Sequence, residues 1–109
     1  MSPINSRAKG KASELEVVHI LRDHGWLEAR RTSDGNAQLG RGDIANGPQA
    51  THLEVKRRET LDVVGWWRQA DTEAAKGCLP VVAFRRSRMP WLVVLELDEL
   101  LPLLKLRES

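Results

Sequence analysis

Two carboxylates and an ammonium lie close together in one short stretch of this chain: Gly42-Asp43-Ile44, then Leu53-Glu54-Val55-Lys56-Arg57. In an extended strand successive side chains alternate faces, so Glu54 and Lys56 project to one side while Leu53 and Val55 can meet a core. Between the two halves, Asn46-Gly47-Pro48-Gln49 punctuates a turn, and residues 41–46 and 50–57 therefore read as an antiparallel hairpin. Any register centred on Gly47 or Pro48 leaves Asp43 and Glu54 within about two residues of being opposite each other, or diagonal neighbours. Carboxylates at that separation repel, and a hard divalent cation relieves the repulsion. Mg²⁺ accepts one or two carboxylates, with water and a substrate phosphate completing its shell. Such an ion polarises a phosphoryl oxygen and lowers the pKa of a bound water, and Lys56 is placed to orient that water or offset developing charge. The chemistry implied is phosphodiester hydrolysis without a covalent intermediate. A Glu-x-Lys pair by itself is more often a solvated ion pair. That reading does not account for Asp43 across the turn, Arg57 and Arg58 after the lysine, or Glu14 on a helix ahead of the sheet.

The elements that must hold these groups follow from spacing. Ser13 reads as an N-cap with Glu16 completing a capping box, and Leu15, Val18, Leu21 and Arg22 recur at helical spacing until Gly25, which predicts a helix over 13–24. Residues 1–12 read as a mobile basic arm and 13–109 as a single domain. Leu27 to Thr32 is the first expected strand, followed by a polar, flexible loop through Gly42 that could close over DNA. Asp62 caps a helix over 62–76 that carries Val63, Trp66, Trp67, Ala70 and Ala74 before Gly77. One of the adjacent tryptophans should be core and the other partly exposed, available to a second subunit or to a stacked base. Leu79 to Phe84 and Trp91 to Leu95 are apolar enough for buried central strands. A final helix starts at Asp98 or Glu99, tolerating Pro102 only in its first turn, and its leucines exceed what one narrow stripe needs, the surplus suiting a subunit interface. The fold class is α/β in the order α-β-β-β-α-β-β-α, a central mixed sheet of about five strands flanked by helices.

Composition restricts the function classes. A chain of 109 residues, 41% hydrophobic and 29% charged, holds one globular core. A lone Cys78 and three scattered histidines argue against an internal disulfide or structural zinc. No apolar run reaches the ~18 residues a bilayer span requires, so no membrane partner is expected and the cytosol is the default compartment. Net charge is only +2, so any affinity for nucleic acid rests on where the basic residues cluster. They cluster as Arg7, Lys9 and Lys11; Arg30 and Arg31; Arg57 and Arg58; and Arg85, Arg86 and Arg88. Each group alone is usually a solvated face, but around a shared carboxylate site they read as phosphate clamps.

Over most of its length the chain resembles the PD-(D/E)xK nucleases, and within them the archaeal-type Holliday junction resolvases. Lys9-Gly10, Glu14 opening the run to Leu21, and His24-Gly25-Trp26 look like the first helix of those enzymes. Glu14 matches their helix acid, Asp43 and Glu54 their metal-binding acids, and Lys56 their catalytic lysine, while Gln69 resembles a glutamine that many members carry in the following helix. Gly42 stands where the motif has proline, Leu15 where some resolvases have arginine, and the loop from Arg31 to Asp43 is longer. The resemblance implies a restriction-endonuclease-like core, with Glu14, Asp43, Glu54 and Lys56 catalytic and Asp43, Glu54, Val55 and Glu14 around Mg²⁺, with Mn²⁺ as a substitute. It further implies DNA contacts from Arg7, Lys9, Lys11, Arg30, Arg31, Ser33, Arg41, Arg57, Arg58 and Gln69. The implied substrate is branched or four-way-junction DNA, cut with paired nicks by a homodimer in the cytosol, that of a host cell if the chain is of phage origin. A less selective nickase, or a repair or restriction-type endonuclease, would carry the same four residues, and an inactive DNA-binding module is the remaining alternative.

Overall fold

The computed structural model describes residues 3–34 and 42–109, with side chains from residue 8 onward. Among the described residues three helices, α1 (Pro3–Asp23), α2 (Val63–Glu73) and α3 (Leu97–Leu106), alternate with five short strands: β1 (Arg30–Arg31), β2 (Ile44–Ala45), β3 (Thr51–Arg57), β4 (Leu79–Arg85) and β5 (Leu92–Val94). The order of elements is the expected one, but the strands do not form one five-stranded sheet. β1 and β2 make a two-stranded antiparallel pair, and β3-β4-β5 a separate mixed sheet of three. A parallel bridge from Gly42 to Leu53 links them.

The expected antiparallel hairpin of 41–46 with 50–57 is not formed. β2 pairs backward onto β1, with Arg31 opposite Ile44, and Gly42 runs parallel to Leu53. The turn residues do bend the chain, with Asn46 and Ala50 at positive φ, but β3 leaves the turn parallel to Gly42 and pairs along its length with β4, across the α2 crossover. β3 and β4 pair in parallel over seven residues, Thr51 with Leu79 through Arg57 with Arg85. β4 is the central strand, as expected. β5 is an edge strand, and Leu92 and Val93 on it are exposed rather than buried.

Strand alternation divides the core between two helices. On one face Leu53, Val55 and Ala83 pack with Ile44 against Val17 and Val18 of α1; on the other Val82 and Phe84 pack against Ala70 of α2, with Trp66 and Val94 beside them. Val18 and Val82 are fully buried, and each contributes ~1.5–3 kcal/mol. On β3 the α2-facing positions are His52, Glu54 and Lys56, so the strand carries an apolar and a polar row on opposite sides.

Local signals explain the helix ends. α1 starts ten residues before Ser13, so Ser13 is not its cap; its buried hydroxyl donates to the Lys9 carbonyl at 2.8 Å, the back-bond an interior helical serine makes. Gly25, at φ +107°, closes α1 as expected. Asp62 caps α2 through the Gly65 N–H, also as expected, although the helix stops at Glu73. α3 begins at Leu97, which places Pro102 in the second turn, not the first. The proline cannot donate to the Asp98 carbonyl, and because α3 is exposed, water can. Trp66 and Trp67 do not split as expected, since both are half-buried; Trp66 tilts against Phe84 with ring centroids 6.1 Å apart.

Candidate active site

Asp43 is positioned by backbone on both sides. Its carbonyl accepts from Thr32 N–H at 2.9 Å, and its own N–H donates to the Leu53 carbonyl at 2.8 Å. Where a parallel ladder would next offer a carbonyl, the Asp43 carboxylate accepts from Val55 N–H at 2.8 Å, a side chain continuing the ladder by one bond. Gly42 makes this approach feasible. It sits at φ +73°, and a Cβ there would lie 2.5 Å from the Leu53 carbonyl oxygen. A proline, fixed near φ −65°, could not adopt this backbone.

β3 brings Glu54 alongside. The carboxyls of Asp43 and Glu54 lie close together, and His52 Nε2 lies 2.8 Å from Glu54 Oε1. Burial, then the charge of Asp43 and the hydrogen bond with it, push the Glu54 carboxyl up to about 7 against the pull of His52. Glu14, from α1, enters the same pocket beside Asp43 and Lys56. Burial raises its carboxyl above the ordinary value; the Arg31 hydrogen bond opposes that, and the Asp43 charge adds to it. Arg31 Nε donates to Glu14 at 2.8 Å and its Nη1 to Asp34 at 2.8 Å, so this guanidinium orients the helix acid.

The structure therefore gathers Glu14, Asp43, Glu54, Val55 and Lys56 around one pocket of about 560 Å³, with Arg58 and Gln69 at its wall. Two further residues of this pocket escaped the sequence reading, His52 and Glu73. His52, Glu54 and Glu73 each offer a ligand atom within 4.8 Å of the others. Two signals were available for them: position 52 continues the period-two row of 54 and 56, and Glu73 lies one helical turn beyond Gln69, whose amide donates to it at 3.2 Å. A second, adjoining cavity of about 650 Å³ is lined by Lys9, Ser13, Arg57, Arg58 and Ser87 and shares Gly10, Val55 and Arg58 with the first.

Of the expected DNA contacts, Lys9 and Lys11 are exposed on α1, Arg30 on β1, Ser33 in the 3₁₀ turn Thr32–Asp34, and Arg58 just after β3. Arg57 reaches Glu16 at 3.4 Å. Arg41, the loop around it and the side chain of Arg7 lie outside the described residues.

The donor set fits a hard divalent cation. Two opposed carboxyls, one held protonated up to about pH 7 by its neighbour and by burial, are a pair that a cation would let ionise together. Residues 5–107 match a family model described as "Phage putative PDDEXK endonuclease". The chain belongs to this PDDEXK family. Protein D14 of Escherichia phage T5 is 31% identical over 116 residues, covering 85% of this chain and 72% of that protein. No solved structure matches. Asp43, Glu54 and Lys56 follow one another in the order Asp…Glu-x-Lys, and no helix among the described residues is long and apolar enough to cross a membrane.

Proposed function

We propose that this PDDEXK chain is a Mg²⁺-dependent DNA endonuclease selective for branched DNA, nicking four-way junctions as a resolvase does. The observation that carries the reading is the meeting of Asp43, Glu54, Glu14 and Lys56 in one pocket that opens into a cleft bordered by Lys9, Arg57 and Arg58. Asp43 and Glu54 would hold the cation, with Glu14 reaching it directly or through water. Bound there, the ion supplies Lewis-acid polarisation of the scissile phosphate and a water acidic enough to attack it. Lys56 holds its ammonium over the same pocket, where it orients the attacking water and offsets charge developing on the phosphoryl oxygens. Arg31 keeps Glu14 turned toward Asp43, and Arg58 stands where the two cavities meet, placed to hold a neighbouring phosphate. The preference for branched substrates rests on the resemblance of Lys9-Gly10, Glu14 and the motif residues to junction resolvases.

The test is cleavage of a labelled synthetic four-way junction beside duplex, single-strand and flap controls, with Mg²⁺ or EDTA, for the wild type and Asp43→Asn. Paired symmetric nicks confined to the junction, lost with EDTA and in the variant, support the resolvase reading. Equal cutting of every substrate reduces it to a less selective PDDEXK nuclease, and tight binding without turnover leaves a DNA-binding module. Arg58→Ala should lower the slope of log affinity against log salt by about one.

A further inference from the structure

None of α3 is buried. Leu97 is 64% exposed, Leu101 48%, Leu103 52%, Leu104 40% and Leu106 68%. Leu97, Leu101 and Leu104 leave apolar surface on the order of 250 Å² open along one side of this ten-residue helix, near the low end of the largest patch on a typical monomer, while Leu103 and Leu106 project from the other side. Leu97, Leu101 and Leu104 fall at i, i+4 and i+7, a single stripe along the helix.

The charges beside that stripe identify its occupant. Asp98 and Lys105, seven residues apart, lie on the same edge of the stripe, the acid in the first turn and the base in the last. When two copies of a helix pack antiparallel about a two-fold axis, the same edge of each faces the other, end to end. Asp98 of one copy then meets Lys105 of its mate, twice. A parallel pairing would put Asp98 and Lys105 of the two copies on opposite edges of the seam, with no reciprocal pair. Within the chain Lys105 is joined to Glu108 across 3.6 Å, with both side chains largely in water, a contact weak enough to be exchanged.

We infer that α3 is the interface with a second copy of this chain, the two helices packing antiparallel through Leu97, Leu101 and Leu104 with reciprocal Asp98–Lys105 pairs. The two-fold axis passes close to the helix midpoint at Leu101. This inference is independent of what the active site cuts.

Analytical ultracentrifugation of the wild type at micromolar concentration should show a dimer, and Leu101→Glu a monomer with unchanged circular dichroism, because Leu101 belongs to neither core cluster. Asp98→Lys should weaken the dimer roughly tenfold, and adding Lys105→Asp to the same chain should restore it. In a Cys78→Ser background, Leu101→Cys should cross-link rapidly to its own mate under mild oxidation, whereas Leu97→Cys should not. A wild type that stays monomeric overturns the proposal. So does a dimer that survives Leu101→Glu, which would place the contact elsewhere, or cross-linking of Leu97→Cys with itself, which would make the helices parallel.

Discussion

β3 and α3 break the ordinary rule of burial in opposite directions. β3 hides a histidine and a glutamate, with His52 at 3% and Glu54 at 7% exposure, while α3 holds five leucines in water. Neither arrangement is favourable for an isolated chain: a buried carboxyl next to another carboxyl costs ionisation energy, and exposed leucines forgo burial. Each departure marks the chemistry of something that would relieve it, a cation at the first and an apolar surface at the second. Hydrophobic patterning locates the core of this molecule, and the two regions that break the pattern are the ones at which a cation and a second copy are proposed.

The largest effect that would sharpen the contrast is catalytic. Lys56→Met should lower the cleavage rate ~10²–10³-fold with little change in thermal stability, since the lysine is half-exposed at the pocket; a loss of both would mean that Lys56 acts structurally. Next is an effect that separates stability from activity. In the cation-free protein the folded-state value for Glu54, about 7, lies above its ordinary 4.5. The folded state therefore holds the proton more tightly, and the stability this confers is complete below about pH 4.5 and lost as pH rises through about 7. Glu54→Gln keeps an acceptor for His52 and a donor for Asp43, so at pH 8 in EDTA it should raise stability by on the order of 3 kcal/mol while abolishing cleavage. Denaturant melts of both proteins at pH 5 and 8 check this. A flat difference between the two pH values would mean that Glu54 is ionised throughout.

Arg31→Met should come next, destabilising by ~1–3 kcal/mol because it leaves the Glu14 carboxylate without its partner. Urea unfolding measures it, and no loss would show that Glu14 does not depend on Arg31. The smallest effect belongs to α3. Leu103→Ala, measured where the chain is monomeric, should change stability by less than ~0.5 kcal/mol, whereas Val18→Ala in the core should cost ~2 kcal/mol or more although it removes fewer methylenes. Equal costs would erase the contrast between β3 and α3.

The period-two row of Glu54 and Lys56, the Asp62 cap, the Gly25 stop and the order of elements were all legible because each is set within a few residues. Strand partners were not. Asn46-Gly47-Pro48-Gln49 announces a turn but not which strand receives the chain beyond it, and the choice of β4 over β2 is made by packing across α2. Ser13 looked like a cap because its hydroxyl and Glu16 have the right spacing; only the helical residues before it decide otherwise. Glu73 was invisible for a similar reason, since an acid late in a helix meets a strand 20 residues earlier only after the crossover folds.

Glu16 has a consequence of a different kind. Its carboxylate accepts from the Trp91 indole at 3.2 Å and pairs with Arg57 at 3.4 Å and Arg85 at 3.2 Å, while Arg85 lies over the Trp91 ring at 5.7 Å. The ring therefore shares one carboxylate with a guanidinium that borders the basic cleft. A polyanion that draws Arg57 away from Glu16 changes the field at the indole, so Trp91 fluorescence, isolated by subtraction of a Trp91→Phe spectrum, is a built-in optical gauge of occupancy in that cleft.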